Sequence, residues 1–312
     1  MSNQIRTTFL LGLMTVFIVL AGNVLGGRQG MIIALIFAGG MNFFSYWYSD
    51  KMVLKMYRAV EASPQQVPQL YSMVEKLTQQ ANLPMPKIYI IPNDAPNAFA
   101  TGRNPDNAVV AVTEGLLRIM NPEEIMGVLA HELGHVKNRD ILIQTIAATM
   151  AGAVMMLATM ARWSAIFGFG GRSDDEGGGN IIVLLAMSIL APLAAALIQM
   201  AISRSREYQA DATGARFMGS PDGLADALEK LGTYSRRTPM AASPATAHMF
   251  IVNPLSGRRL AGLFSTHPPL EDRIARLRGI KTGPAASRSR SSAADNSGIE
   301  QGKAFWDNLS RH

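Results

Sequence analysis

Four stretches of this chain run for 21 to 23 residues without a charged side chain: 7–27, 29–49, 141–161 and 181–203. A helix needs roughly 20 apolar residues to cross a bilayer, so each is long enough to span. Only 17% of the residues are charged, against about 25% in a typical soluble domain. The first run is too long, and too quickly followed by the second, for a cleaved signal peptide. Phe43, Phe44, Tyr46, Trp47 and Tyr48 close the second run as an interfacial belt does. Gln144, Thr145, Pro192 and Gln199 weaken the later pair, which brings those two runs closer to the buried helices of a soluble core. The pattern predicts two helical hairpins.

Lys and Arg set their facing. Arg6, Lys51, Lys55, Arg58, Lys137, Arg139, Arg204 and Arg206 fall on one side; Arg28, Arg162 and Arg172 fall on the other, the last two with Asp174, Asp175 and Glu176. This bias puts both termini and both long polar segments in the cytoplasm. The net charge is +6, but the cations flank apolar runs or lie in the tail. They suit an anionic bilayer surface and not a nucleic acid.

The segments divide the chain into an N-terminal hairpin (1–50), a first polar part (51–140), a second hairpin (141–203) with a polar loop at 162–180, a second polar part (204–280) and a disordered tail (281–312). Ser63 and Pro64 read as the start of a helix carrying Val67, Leu70, Met73, Val74 and Leu77 at helical spacing. Residues 87–91, 97–102 and 107–112 read as strands. Asn121-Pro122-Glu123-Glu124 opens a further helix. Helices follow at 203–218, 221–231 and 270–277, and 236–256 is a Pro/Met/Ala-rich loop long enough to serve as a lid. The fold class is α+β, mainly helical, with a small sheet.

His131-Glu132-Leu133-Gly134-His135 is an HExxH motif. On a helix, positions i and i+4 share a face, so both imidazoles can converge on one ion. Glu132 stands about 100° round, placed to reach a water without ligating. The chain has no cysteine, so the remaining ligand is histidine or a carboxylate. Glu207 and Asp211 lie on one helical face with Ala210, Gly214 and Met218, and either could ligate by periodicity. His312 is terminal, His248 reads as a surface polar residue, and Asp140 reads as a juxtamembrane charge. The stretch 128–150 reads as one helix, with a catalytic half and an anchoring half.

AHELGHVKNRD, two apolar spans and then SREYQAD, with NAFATG before and THPPLEDRI after, resembles the HtpX family of membrane-integrated zinc metalloproteases, bacterial relatives of the CAAX prenyl proteases. The resemblance runs from the first hairpin to about Arg278. It implies a zincin-like protease domain on four transmembrane helices, with one Zn2+ per chain. It implies His131, His135 and Glu207 as ligands, Glu132 as general base, and Asp211 and Arg273 as partners behind them. It also implies that His267 approaches the site and could stabilise the oxyanion. It places the chain in the bacterial inner membrane, cutting misfolded or damaged membrane proteins from the cytoplasmic face as a quality-control protease. Asn97, at the start of a candidate edge strand, could bind substrate main chain.

Two other readings share the motif. An intramembrane protease carries HExxH within a span, with an aspartate ligand from another; here Lys137, Arg139 and Asp140 separate motif from span, and no run contains an aspartate. A structural zinc site fills all four positions with protein ligands and leaves Glu132 without a role.

Overall fold

The computed structural model describes residues 3–167, 204–252 except 236, 239, 241 and 244, residue 254, and 268–279. The last apolar run, the loop beyond residue 167, His267 and the tail from residue 281 lie outside these.

Helix α1 (Asn3–Met56) takes up both N-terminal apolar runs. It does not run straight. Asn42 Nδ2 donates to Thr15 Oγ1 at 2.8 Å, although 27 residues of straight helix would separate them by about 40 Å. The helix therefore turns back between them, where Gly27 adopts φ +57°, a conformation glycine takes without a Cβ penalty. The arms form the expected hairpin. Leu10, Met14, Met41 and Tyr46 pack with Ile146, Ala147, Met150 and Val154 of α5 (Ile141–Phe167). On the outer side, Ile33 and Ile36 are 68% and 72% exposed. Such a broad apolar face is foreign to a protein surrounded by water. Among the described residues, Gly27–Met56 is the one helix long and apolar enough to cross a membrane.

Between α1 and α5, β1 (Val60–Glu61) leads to α2 (Pro68–Ala81). That helix starts four residues later than Ser63-Pro64 suggested. A helix begun at Pro64 would hold Pro68 in its interior, where it lacks the N–H and its ring meets the carbonyl of residue 64. Ser63 instead closes a turn with Gln66. Strands β2 (Lys87–Ile91), β3 (Ala98–Gly102) and β4 (Ala108–Thr113) follow. The sheet order is β1-β2-β4-β3, with β2 and β4 parallel and β3 an antiparallel edge. Next come α3 (Glu114–Ile119) and α4 (Pro122–Lys137). Beyond residue 203 lie α6 (Arg204–Met218), α7 (Asp222–Tyr234) and α8 (Leu270–Gly279).

The sheet has two covered faces. Ile88, Ala98, Ala100, Val110 and Val112 pack under α2, α4 and α7. Phe99, Val109 and Ala111 pack against Val53 and Leu54 of α1, against Tyr57 just past its end, and against Met240, Met249 and Phe250. The segment expected to be a lid is thus partly core: Ala245, Ala247, Phe250 and Ile251 are buried, and so is His248, which had read as a surface residue. Edge-on contacts among Tyr57, Phe99 and Phe250 hold it there.

The stretch 128–150 is two helices, not one. Helix α4 ends at Lys137, and Arg139 adopts the left-handed φ of +59°. Its N–H bonds Val136 O and the Asp140 N–H bonds His135 O, at 3.1 and 2.9 Å. That is a Schellman turn, after which α5 starts in a new direction.

Helices α4 and α6 meet backbone to backbone. A Cβ on Gly214 would lie 2.9 Å from Ala130 C and His131 N, and one on Gly134 would lie 2.9 Å from Ala210 O. Gly→Ala inside a helix normally stabilises by up to about 1 kcal/mol. Gly214→Ala should instead destabilise by about 1–3 kcal/mol through overpacking, seen as a lower unfolding temperature of the detergent-solubilised protein; a raised midpoint would contradict this contact.

Candidate metal centre

The site is built on α4. Asn121 and Glu124 form a reciprocal capping box at its start, and Lys230 of α7 bonds Glu124 at 2.7 Å. The register of the helix is therefore pinned, and His131 and His135 face α6 together. Their rings meet edge to face with centroids 4.8 Å apart.

Glu207 stands opposite them on the first turn of α6. Its Oε2 lies 3.7 Å from His131 Nε2 and its Oε1 3.5 Å from His135 Nε2. Two ligands, each about 2.1 Å from a tetrahedral zinc, would be about 3.4 Å apart. One donor atom from each of the three residues falls within 4.8 Å of the others, and all three residues are buried. The donor set therefore fits a small divalent ion.

Each imidazole has a carboxylate behind it. Asp211 Oδ1 lies 2.9 Å from His131 Nδ1, and Asp140 Oδ2 lies 3.1 Å from His135 Nδ1. When both rings are neutral, a proton on each Nδ1 leaves both Nε2 lone pairs facing Glu207, the arrangement that orients metal-binding histidines. Asp211 is held in turn by Arg273 of α8, whose Nε and Nη2 donate to its two oxygens at 2.9 and 2.7 Å. Arg273 is fully buried and also donates from Nη1 to Ile251 O at 2.9 Å.

The Glu132 carboxylate is buried, feels the charges of His135 and Glu207, and takes a backbone hydrogen bond from Ala100 of the edge strand. Its Oε1 is buried without a hydrogen-bond partner among the described residues. A buried acceptor left open in this way is costly and suits a group waiting for a polar reactant.

Burial, reinforced by the Arg273 charge and opposed by Asp211, holds His131 down at about 4. Burial also acts to lower His135, but the carboxylates of Glu207, Asp140 and Glu132 outweigh it and push the ring up to about 9. Glu132 is pushed up to about 7, by burial first and by the Glu207 charge, against His135. Asp211 stays well below the usual carboxylate range: burial opposes its charge, but Arg273 and His131 more than restore it.

The structure thus brings together His131, Glu132, His135, Glu207, Asp211 and Arg273; of the two α6 carboxylates, Glu207 faces both Nε2 atoms while Asp211 sits on an Nδ1. Asn97 binds main chain, but that of the protein itself: its Nδ2 donates to Val252 O at 2.9 Å. Asp140 corrects the sequence reading. It is not a solvated juxtamembrane charge but is 1% exposed and bonded to His135.

Residues 64–281 match the model of peptidase family M48. The chain is similar to a protease HtpX homolog of Desulforapulum autotrophicum, 66% identical over 309 residues that cover 99% of this chain and 100% of the relative. A protease HtpX homolog of Desulfatibacillum aliphaticivorans is 64% identical over the same length. Among solved structures, S. mikatae Ste24p shares the fold, with a TM-score of 0.51 at 20% identity over 88% of this chain and 65% of that one.

Metal binding requires a neutral His135, and in the metal-free protein its proton leaves only near pH 9. A bound divalent ion displaces that proton. Apparent affinity should therefore rise about tenfold per pH unit from about pH 7 to 9 and flatten above. Titration calorimetry in buffers of different ionisation enthalpy should count about one proton released per ion near pH 8; affinity independent of pH would contradict the charged ring.

Proposed function

The chain belongs to peptidase family M48, among the HtpX proteases, and from that premise we propose a membrane-anchored zinc endopeptidase that cuts membrane proteins from the cytoplasmic face. The observation that carries this reading is the buried triangle of His131, His135 and Glu207 with Glu132 alongside. Two imidazoles and one carboxylate suit zinc, with a fourth position open.

Zinc held there would supply a Lewis acid for the scissile carbonyl and would acidify the attacking water. The protein supplies the rest. Glu132, whose carboxyl is raised toward neutrality, accepts the proton of the attacking water and returns it to the leaving amine. Asp211, locked by Arg273, keeps the His131 proton on Nδ1.

The edge strand supports a peptide substrate. Asn97 O accepts from Thr113 N, so alternate residues, Ala98, Ala100 and Gly102, turn their backbone groups to the outer edge. Ile251 N already takes Ala98 O. A peptide laid beyond it, along Ala100, would pass beside Glu132. Helix α4 packs on the sheet and α2, which supports cleavage outside the bilayer over the intramembrane reading.

The exposed apolar face of α1 supports anchoring, and the Lys/Arg bias supports a cytoplasmic catalytic part. Membrane proteins with damaged cytoplasmic loops are then the substrates that reach the site. His267, ahead of Pro268 and α8, is proposed to stabilise the oxyanion.

Glu132→Gln should keep one zinc per chain while cleavage of an unfolded protein falls by at least about 100-fold. Metal analysis and proteolysis on the same sample test this; undiminished cleavage by the zinc-loaded variant would sink the proposal.

A further inference from the structure

We infer that Asp140 is a positioning residue for the metal centre: it fixes the tautomer and orientation of His135 and makes the first turn of α5 part of the site. The inference rests on the zinc-protease reading above but uses geometry that the reading does not need.

The observations begin with the backbone. Arg139 holds φ +59°, a conformation that is costly for a residue with a Cβ and that glycine would adopt freely at such a helix end. A strained turn of this kind persists where it delivers something. Here it folds residue 140 back over the last turn of α4, so that the Asp140 N–H reaches His135 O. The same reversal brings Asp140 Oδ2 to 3.1 Å from His135 Nδ1. The carboxylate is 1% exposed, so water does not compete for that bond.

His135 needs this partner more than most ligands do. It lies in the last turn of its helix, and its ring is confined on one side by His131. In the neutral ring, with the remaining proton held on Nδ1 by Asp140, the Nε2 lone pair faces Glu207, whose Oε1 is 3.5 Å away. Removing the carboxylate takes away the acceptor that selects the ligating tautomer. The parallel with His131 is close: each imidazole has its own carboxylate, Asp211 fixed by Arg273 and Asp140 fixed by the turn.

Asp140 also stands at the N-cap of α5, where its carbonyl accepts from Gln144 N at 3.2 Å. One turn on, Thr145 Oγ1 bonds Thr101 Oγ1 of β3 at 2.9 Å. The start of α5 is thereby tied to a metal ligand and to the substrate edge. Displacing α5 would disturb both.

Asn and Ser cap helices as well as Asp does, which separates the two roles. The full-length protein in detergent, as wild type, Asp140→Asn and Asp140→Ser, is titrated with Zn2+ against a chelator and with Co2+ by visible absorption. The inference expects zinc affinity to fall about 10–100-fold in Asp140→Ser and by less in Asp140→Asn, whose amide oxygen still accepts from Nδ1, with altered cobalt ligand-field bands in a protein that stays folded without metal. Affinity of Asp140→Ser within about twofold of wild type and an unchanged cobalt spectrum would overturn it, leaving Asp140 a cap alone. A variant that unfolds without metal is judged by the other. A wild-type protein that binds neither metal would overturn the zinc reading and this inference together.

Discussion

The metal centre depends on one close approach between two helices. Helix α4 carries both histidines and α6 carries Glu207 and Asp211. They can face each other at bonding distance only because Gly134 lies on Ala210 and Gly214 on Ala130 with no side chain between. Each gap is near 2.9 Å for an added Cβ, so even one methyl group would push the helices apart. A zinc ligand tolerates displacements of only a few tenths of an ångström. The small residues therefore set the spacing of the donor atoms without contributing one.

Burying the site so completely creates an electrostatic problem, and the structure resolves it in layers. His131, Glu132, His135, Glu207, Asp211, Asp140 and Arg273 are all 5% exposed or less. An unpaired charge at that depth costs several kcal/mol. Arg273 neutralises Asp211 with a two-point contact and lends its third nitrogen to the Ile251 carbonyl. His135, left protonated by surrounding carboxylates, answers the Glu207 charge until an ion replaces its proton.

Much of this was legible in the sequence because it rests on local periodicity. His131 and His135 share a face by spacing alone, and Glu207 and Asp211 share another. The strands read at 87–91, 97–102 and 107–112 from apolar runs between turn residues form at 87–91, 98–102 and 108–113. What the sequence concealed depends on conformations or contacts that it does not advertise. Asp140 meets His135 only because Arg139 is left-handed, which a non-glycine residue gives no sign of. The same turn splits 128–150 into two helices although its composition is helical throughout. His248 was hidden for a different reason: Tyr57 and Phe99, distant in the chain, provide the aromatic wall behind which its segment is buried. Periodicity left Glu207 and Asp211 equivalent; the crossing of α4 and α6 separates them.

The central claim is a mononuclear site made by two helices, with two imidazoles, one carboxylate and an open position. Zinc K-edge X-ray absorption on the full-length, zinc-loaded protein tests it most directly. The account predicts two imidazole nitrogens and an oxygen-completed shell at about 2.0–2.2 Å. A third imidazole, or a shell of oxygens alone, would contradict it.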